Sequence, residues 1–427
     1  MNGVEVCSIS ESDQRRNGLV FLISNAMLYL IAPVTYVGVL HASILESLKA
    51  SDTVANLPES VYMWVAPLPV LVAWLWPSPR LLRPMLIAAQ VVKGAAGGAA
   101  ALVFALAPPS WWIPVLLVHP AVIGITGGVQ IMCLWELIGR GMGPAQRGRT
   151  LGWTYGIGPV FAVAGSCASQ LILKGEFPGL PSIEPWNPPW SYVLLFGVSC
   201  PAMWFSASLV YFARLPEPAD TDTGASIREV ARGLRSYLGN RLIVITAIGF
   251  LLTYGGTMIM NNLSLYAREA LGEAPEQYAG LQLALRFGFK SVMGFTLGWL
   301  VTRLHPKASL LATTSICAAG IVWALLVPGK LYLFSFGLLG AGELFYVYYV
   351  NYVVGCSEPR RMRENTAYTN LISVSIGFLP LAFGWISDKF GRPASFIAAL
   401  GILLTAIAIV QLLLPRHPRP LAGDESQ

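Results

Sequence analysis

Long apolar runs follow one another along almost the whole sequence, and they limit the possible folds more than any other feature. Charges, Pro clusters and Gly separate twelve such runs. A run of about 20 apolar residues is the length of helix that crosses the hydrocarbon core of a bilayer. The runs predict spans at 18–42, 58–77, 84–106, 111–137, 149–173, 190–213, 241–266, 277–301, 308–327, 331–354, 366–387 and 393–414. We therefore expect an all-α polytopic membrane protein with twelve transmembrane helices.

The composition excludes several other classes of protein. Only 12% of the 427 residues are charged and 55% are hydrophobic, whereas soluble domains average about 25% charged residues. So few charges cannot cover a surface that faces water. A soluble globular protein, a disordered chain and a nucleic-acid binder are therefore excluded, and the net charge of +6 is better explained by basic loops beside a membrane.

The distribution of Lys and Arg predicts the orientation of the chain. Nineteen of the 28 Lys and Arg residues lie in tails and loops on the same side as the N-terminus, six lie on the other side, and three lie within spans. Cytoplasmic loops are enriched in Lys and Arg. We expect a plasma (inner) membrane protein whose tails, 1–17 and 415–427, are both cytoplasmic.

The charged segment 214–240 divides the spans into two sets of six. It predicts a cytoplasmic central loop between an N-terminal bundle, 18–213, and a C-terminal bundle, 241–414. The string AWLWPSPRLLRP closes span 2 and GWLVTRLHPK closes span 8, so a Trp-Leu pair and a short basic turn occur once in each set. Duplicated halves are common in transporters, with the substrate site between them. Two pseudo-symmetric six-helix bundles around a central cavity are predicted.

With these features the chain resembles the major facilitator superfamily over nearly its whole length. The resemblance rests on the 6+6 plan, on the basic turns after spans 2 and 8, and on a P-x-x-R-G-x-x-x-G stretch between spans 4 and 5, here Pro144, Arg147, Gly148 and Gly152. The turns depart from the family pattern. The family's acidic residue is absent after span 2, and Thr302 takes its place after span 8.

The resemblance implies roles for residues at the cytoplasmic ends of the spans and for four of the spans. It implies that spans 1, 4, 7 and 10 line the cavity. It also implies a cytoplasmic gating set that locks an outward-open state, comprising Arg80, Arg83, Glu136 and Arg147, with Arg303 on the matching turn after span 8. In the similar string GWISDKFGR after span 11, Asp388 is expected to order the loop, with a gating role as the alternative.

Charged residues inside spans are the strongest functional indication in the sequence, because they are costly in a membrane and usually face the bundle interior. Span 8 carries Gln282, Arg286 and Lys290 at i, i+4 and i+8, which places them on one helical face. Span 10 carries Glu343, the expected partner of Arg286 or Lys290. The group predicts either an anion-attracting, proton-coupled site built on Glu343 and Arg286 or a structural ion pair between spans 8 and 10.

Polar side chains on the four predicted lining spans extend this candidate substrate site. They are Asn25, Tyr29 and Tyr36 in span 1, Gln130 in span 4, Tyr254 and Asn261 in span 7, and Tyr346 in span 10. Tyrosine combines an apolar ring with a hydroxyl and suits an amphipathic organic solute, although the later tyrosines of span 10 also fit an interfacial belt. Lys93 in span 3 and His119 in span 4 are further candidates. The alternatives are pairing of Lys93 with a neighbouring carbonyl or with Glu136, and a satisfied interfacial histidine at His119.

Missing motifs narrow the function further. The sequence has no P-loop for ATP, no Cys/His metal spacing and no hydrolase elbow, so we expect no enzyme activity, no cofactor and no metal. We predict a monomeric secondary active transporter that moves a small anionic or zwitterionic solute by alternating access in contact with membrane lipid. We expect protons as the coupling ion, as in symport, and no nucleic-acid partner. The alternatives are an exporter of amphipathic, drug-like compounds and a non-transporting receptor or assembly factor on the same fold.

Overall fold

Helices joined by short turns make up the structure. The computed structural model describes residues 10–69, 79–214, 227–303, 305–358 and 361–418, and no strand occurs among them. Within these residues, nine helical segments are long and apolar enough to cross a membrane. The multi-pass prediction is confirmed.

The N-terminal half, defined here as the described residues up to 214, contains eight helices. They are α1 (Glu11–Leu30), α2 (Ala32–Thr35), α3 (Val39–Ser47), α4 (Asp52–Val65), α5 (Leu82–Leu106), α6 (Trp112–Gly141), α7 (Pro144–Lys174) and α8 (Trp190–Val210). Single 3₁₀ turns, Pro79–Leu81 and Pro109–Trp111, precede α5 and α6.

The C-terminal half, defined here as the described residues from 227 onward, contains eleven helices. They are α9 (Ile227–Gly239), α10 (Arg241–Thr257), α11 (Met260–Leu265), α12 (Ala267–Leu271), α13 (Ala279–Arg303), α14 (Pro306–Leu326), α15 (Phe334–Gly342), α16 (Phe345–Cys356), α17 (Met362–Ile372), α18 (Phe378–Phe390) and α19 (Arg392–Leu413). The 3₁₀ turns Pro275–Tyr278, Gly329–Leu333 and Ser373–Gly377 lie between them. Helix α9 falls inside the predicted central loop 214–240, of which 215–226 lie outside the described residues.

The helices of the first two predicted spans begin before their apolar runs. Helix α1 starts at Glu11, where the Ser10 side chain accepts a hydrogen bond from the Asp13 backbone N–H, and α4 starts at Asp52, where Ser51 caps Val54 in the same way. Serine is a favoured N-cap residue because its hydroxyl satisfies a free N–H of the first turn. Hydropathy does not detect these polar first turns, so the helices extend beyond the runs that start at 18 and 58.

Spans 1, 7 and 10 are interrupted helices. Span 1 breaks after Leu30 and again before Val39, span 7 breaks between Thr257 and Met260, and span 10 breaks at Glu343 and Leu344. Gly38 has a φ of +136°, a conformation that is readily available to glycine alone. Discontinuous helices near the bilayer midplane are a common way for transporters to expose polar backbone and side-chain groups to a substrate.

The two halves pack against each other through two main pairs of helices. Helix α13 contacts α7, and α18 contacts α4. A Cβ atom on Gly384 would lie 2.6 Å from the backbone oxygen of Asp52, so α18 approaches α4 too closely for any larger residue. We call the end of the bundle where residues 10 and 418 lie the termini face, and the opposite end, which includes Asp52 and Arg392, the distal face.

Candidate functional site

A buried charge cluster joins α13 to the break in span 10. Arg286 donates to Oε1 of Glu343, and the Lys290 Nζ atom lies 3.1 Å from Oε2 of the same carboxylate. The three side chains are between 12% and 20% exposed. The i, i+4 spacing on α13 brings both cations to one face. The pairing that the sequence predicts is therefore present.

Aromatic rings from the N-terminal half complete this cluster. The Phe287 ring meets Tyr36 and Tyr29 edge-on, with centroids 5.0 and 6.2 Å apart. The Arg286 guanidinium carbon lies 5.5 Å from the centroid of the Tyr36 ring, within the range of a cation–π contact. The cluster therefore lies between the two halves.

The cluster carries an excess positive charge. Two cations share one carboxylate, and the Arg286 Nε atom is buried with no hydrogen-bond partner among the described residues. A buried donor without a partner is costly. A carboxylate or phosphate oxygen of a solute would satisfy it and neutralise the remaining charge.

A second cation is buried inside the N-terminal half. Lys93 is 3% exposed, and its Nζ atom donates to Oε1 of Gln130 at 2.6 Å. No ion pair to Lys93 forms among the described residues. Nearer the distal face, the imidazoles of His41 and His119 are stacked and lie 3.1 Å apart, Nε2 to Nδ1. The predicted partner of Lys93, Glu136, has a side chain outside the described part of the structure.

A network of three asparagines and one carboxylate crosses the interface between the halves. Asn261 of α11 donates to Oε2 of Glu59 at 2.6 Å and contacts Oδ1 of Asn56 at 3.3 Å. Asn56 in turn donates to Oδ1 of Asn262 at 2.6 Å. All four side chains are buried, and Asn56 and Glu59 belong to α4 whereas the other two belong to α11.

The remaining predicted substrate residues are more scattered. Asn25 donates to the Phe21 carbonyl of its own helix, and the Gln282 oxygen accepts from Ser264 near the distal face. The Tyr254 hydroxyl lies 3.5 Å from the sulfur of Met63, and Tyr346 donates to Asn370. Their substrate roles stay predictions. In the same span 10 segment, Tyr349 and Tyr352 are buried core residues and do not form an interfacial belt.

The predicted gating residues lie at the termini face. Arg83 donates to the Ala213 carbonyl and Arg147 to the Met142 carbonyl, so these contacts stay within the N-terminal half. Arg80 is exposed. The side chains of Glu136 and Arg303 lie outside the described residues, so the gating set stays a prediction.

Ion pairs between the halves lie at the distal face. Arg392 donates hydrogen bonds to both carboxylate oxygens of Asp52, each at 2.9 Å. Asp388 accepts from the backbone N–H groups of Asp52 and Thr53. Two further pairs cross the interface, Arg268 with Glu46 and Lys174 with Glu273. The hydrogen bonds from Lys174 and Tyr278 lower the pKa of Glu273. These contacts close the distal face, and Asp388 orders more than its own loop because its partners belong to the other half.

Glu59 and Asn56 were absent from the predicted site. Glu59 occupies the second position of the predicted span 2, 58–77, where a carboxylate marks a helix boundary rather than an interior site. The true helix start at Asp52 places Glu59 two turns inside. The Ser51-Asp52 pair would have indicated that start, whereas Pro58 favours a helix that begins near 58. The contact with Asn261, 202 residues away, cannot be read from spacing.

A shallow groove on the outside of α5 and α8 is separate from these clusters. Its volume is about 490 Å³, and it is lined mainly by small apolar residues such as Ala95, Gly98 and Ala99. It offers no charged side chain to a polar solute. The candidate site therefore remains the interface between the halves.

Comparisons with known proteins support this architecture. Residues 245–427 match the family model of the Major Facilitator Superfamily, and no curated protein matches the chain. A mutant of the nucleoside transporter NupG superposes with a TM-score of 0.68 at 12% identity, covering 92% of this chain and 99% of that one.

Two inward-facing structures are similarly close. The partially occluded, inward-open xylose transporter XylE from E. coli has a TM-score of 0.66 at 14% identity, covering 94% of this chain and 99% of that one. An unoccupied, inward-facing bacterial homologue of the human lysosomal transporter Spinster has a TM-score of 0.66 at 15% identity, covering 94% and 97%. The chain thus has the two-bundle, twelve-helix fold of the Major Facilitator Superfamily, the family whose model its C-terminal part matches.

Proposed function

We propose that this protein is a secondary active transporter that moves a small anionic or zwitterionic organic solute across the membrane by alternating access. The observation that carries the proposal is the sharing of one carboxylate, Glu343, by Arg286 and Lys290 between the halves. The cluster keeps one uncompensated positive charge and one free buried donor. A solute anion supplies the missing partner for both.

Residues of both halves contribute to the proposed site. Tyr29 and Tyr36 pack on Phe287 from the N-terminal half, whereas the charged groups belong to the C-terminal half. The contacts of a solute bound between them change when one half moves against the other. Alternating access requires such a dependence. Lys93 with Gln130 adds a second positive group in the N-terminal half.

The distribution of Lys and Arg supports an orientation with the termini face in the cytoplasm of a plasma (inner) membrane. In that orientation the closed distal face is extracellular, and the structure corresponds to a state closed to the outside. Protons are the proposed coupling ion. That Glu343 takes up the proton stays a prediction. Arg286 and Lys290 both pair with its ionised form, which disfavours proton uptake at this carboxylate.

Solute-induced stabilisation of the purified protein tests the substrate class. We expect sugar acids or inorganic phosphate to raise the melting temperature and lipophilic cations to leave it unchanged, with Arg286→Met abolishing the effect. Stabilisation by lipophilic cations alone would favour the alternative, an exporter of amphipathic compounds that uses the aromatic cluster of Phe250, Tyr254 and Phe345. If neither class of solute stabilises the protein and no solute flux is observed, a non-transporting receptor is favoured.

A further inference from the structure

Glu59 is a buried carboxylate without an ion pair among the described residues. It is 8% exposed and lies seven residues into α4, about 10 Å along the helix from Asp52. Its described hydrogen bond comes from the neutral amide of Asn261, and no ion pair to it forms among the described residues. An ionised carboxylate in such surroundings is costly unless a cation or several donors compensate it.

The surroundings of Glu59 depend on whether the halves are in contact. Its partner Asn261 and the linked Asn262 belong to the C-terminal half, whereas Glu59 and Asn56 belong to the N-terminal half. Opening of the distal face separates the two pairs and admits water. The ionised form of Glu59 is then hydrated, so it favours the open face, and the neutral form favours the closed face.

Glu343 differs from Glu59 in this respect. Both of its cations lie on α13, in the same half. Movement of one half against the other leaves these two ion pairs intact. Glu343 therefore keeps both of its ion pairs in both states.

The other titratable and charged groups that act on Glu59 are poorer candidates for binding a proton when the halves close. They are Tyr62 on its own helix, Tyr254 on α10, Arg286 on α13, and Glu343 in the break of span 10. Tyrosine and arginine ordinarily change charge only at about pH 10 and above. Arg286 is already bound to Glu343. Glu59 is thus the group in this set whose surroundings change from buried amide to water when the halves separate.

We propose that Glu59 binds the coupling proton and that its protonation allows the distal face to close. The proton enters from water at the open distal face, stays on Glu59 while that face is closed, and leaves toward the termini face once that side opens. The ionised carboxylate then favours reopening of the distal face. This inference rests on the proposed function and assigns its proton site to Glu59 instead of Glu343.

Distances across the distal face test the inference without any solute. Nitroxide labels are attached at Glu176→Cys and Lys330→Cys, two exposed positions on opposite halves, in a variant without native cysteines and reconstituted in lipid nanodiscs. Double electron–electron resonance gives the closed and open populations from pH 5 to pH 9. We expect the closed population to rise as pH falls, with up to a tenfold change in the ratio per pH unit.

Substitutions at single carboxylates identify the proton site. Glu59→Gln should keep the distal face closed at every pH, and Glu59→Asp should keep a pH response. Glu184→Gln, which removes an exposed carboxylate between α7 and α8, should respond like the parent protein. An unchanged pH response in Glu59→Gln would overturn the inference, as would a parent protein without any response. Complete loss of the response in Glu276→Gln would also overturn it, because that carboxylate accepts from Tyr192 across the interface.

The outcome is independent of the proposed substrate class. No solute is present in the measurement, so a failure to find anion transport leaves the Glu59 result standing. Conversely, loss of the pH response leaves anion binding by Arg286 untouched. The two proposals therefore fail separately.

Discussion

Arg392 at the start of α19 holds both carboxylate oxygens of Asp52 at the start of α4, with Nε–Oδ2 and Nη2–Oδ1 distances of 2.9 Å. The two side chains belong to different halves and are only 12% and 11% exposed. A bidentate Arg–carboxylate pair is among the stronger polar contacts because both hydrogen bonds are charge-assisted. It forms part of the closure of the distal face.

Removing this pair should open the distal face. Arg392→Ala leaves Asp52 without its cation, and hydrogen bonds to charged groups contribute about 2 kcal/mol. The closed-to-open ratio should fall about 30-fold. The distance between labels on the two halves measures the change. Arg392→Lys keeps the charge but loses the second hydrogen bond, so its closed-to-open ratio should lie between those of the parent protein and Arg392→Ala. An unchanged ratio in Arg392→Ala would contradict this role.

Neutralising Glu343 should destabilise the protein more than neutralising Lys290. Glu343→Gln leaves two cations four residues apart on α13 without a carboxylate, and breaking a buried pair costs about 3–5 kcal/mol. Lys290→Gln still leaves the Arg286–Glu343 pair and should cost about 1–2 kcal/mol. Chemical denaturation in detergent micelles measures both.

The double variant is the control for that comparison. Adding Lys290→Gln to Glu343→Gln removes the repulsion between the cations, so the double variant should recover about 1 kcal/mol or more relative to Glu343→Gln alone. Strict additivity of the two losses would show that the three charges do not act as one cluster.

The sequence predicts the charge cluster well but misses the interface network. Arg286 and Lys290 are four residues apart, so local helix geometry places them on one face. Glu343 in span 10 was predicted as their partner because an intramembrane cation needs a counter-charge. The contact of Glu59 with Asn261 depends on how two distant helices pack and on where span 1 bends at Gly38. Neither the packing of these two helices nor the bend at Gly38 produces a periodic pattern in the hydropathy of the sequence. The polar first turn of α4 also hides the position of Glu59, because hydropathy detects only the apolar part of that helix.

Acidification below the ordinary range of Glu should weaken a different contact of the distal face. Lys174 and Tyr278 lower the pKa of Glu273 below its usual 4.5, so the ionised form is the one that favours closure. The contribution of this pair is fully present above about pH 4.5 and is lost as pH falls through the lowered value.

The label distance between pH 3 and pH 6 measures this loss. The sign is opposite to that expected for Glu59, which separates the two effects. Glu273→Gln should open the face slightly at neutral pH and flatten the response at the acid end. An unchanged acid response in this variant would show that the Lys174–Glu273 pair does not contribute to closure.

Substitution of Gly38 should disturb the Glu59 network. A Cβ atom at Gly38 would lie 2.7 Å from Oδ1 of Asn261, and the φ of +136° adds backbone strain. Strained backbone conformations of this kind cost about 1–3 kcal/mol. Gly38→Ala should lower the melting temperature clearly more than Gly272→Ala, a matched control with φ of +71° and open space around its Cβ position. Equal losses would assign the effect to backbone strain alone.

Solute flux in proteoliposomes tests the transport account most directly. The purified protein is reconstituted, and uptake of radiolabelled sugar acids, amino acids and inorganic phosphate is followed with and without an imposed pH gradient. We expect at least one of these solutes to accumulate in response to the gradient, with Arg286→Met reducing its flux by tenfold or more. Absence of flux for every solute under both conditions, or equal flux with and without Arg286, would contradict the proposed function.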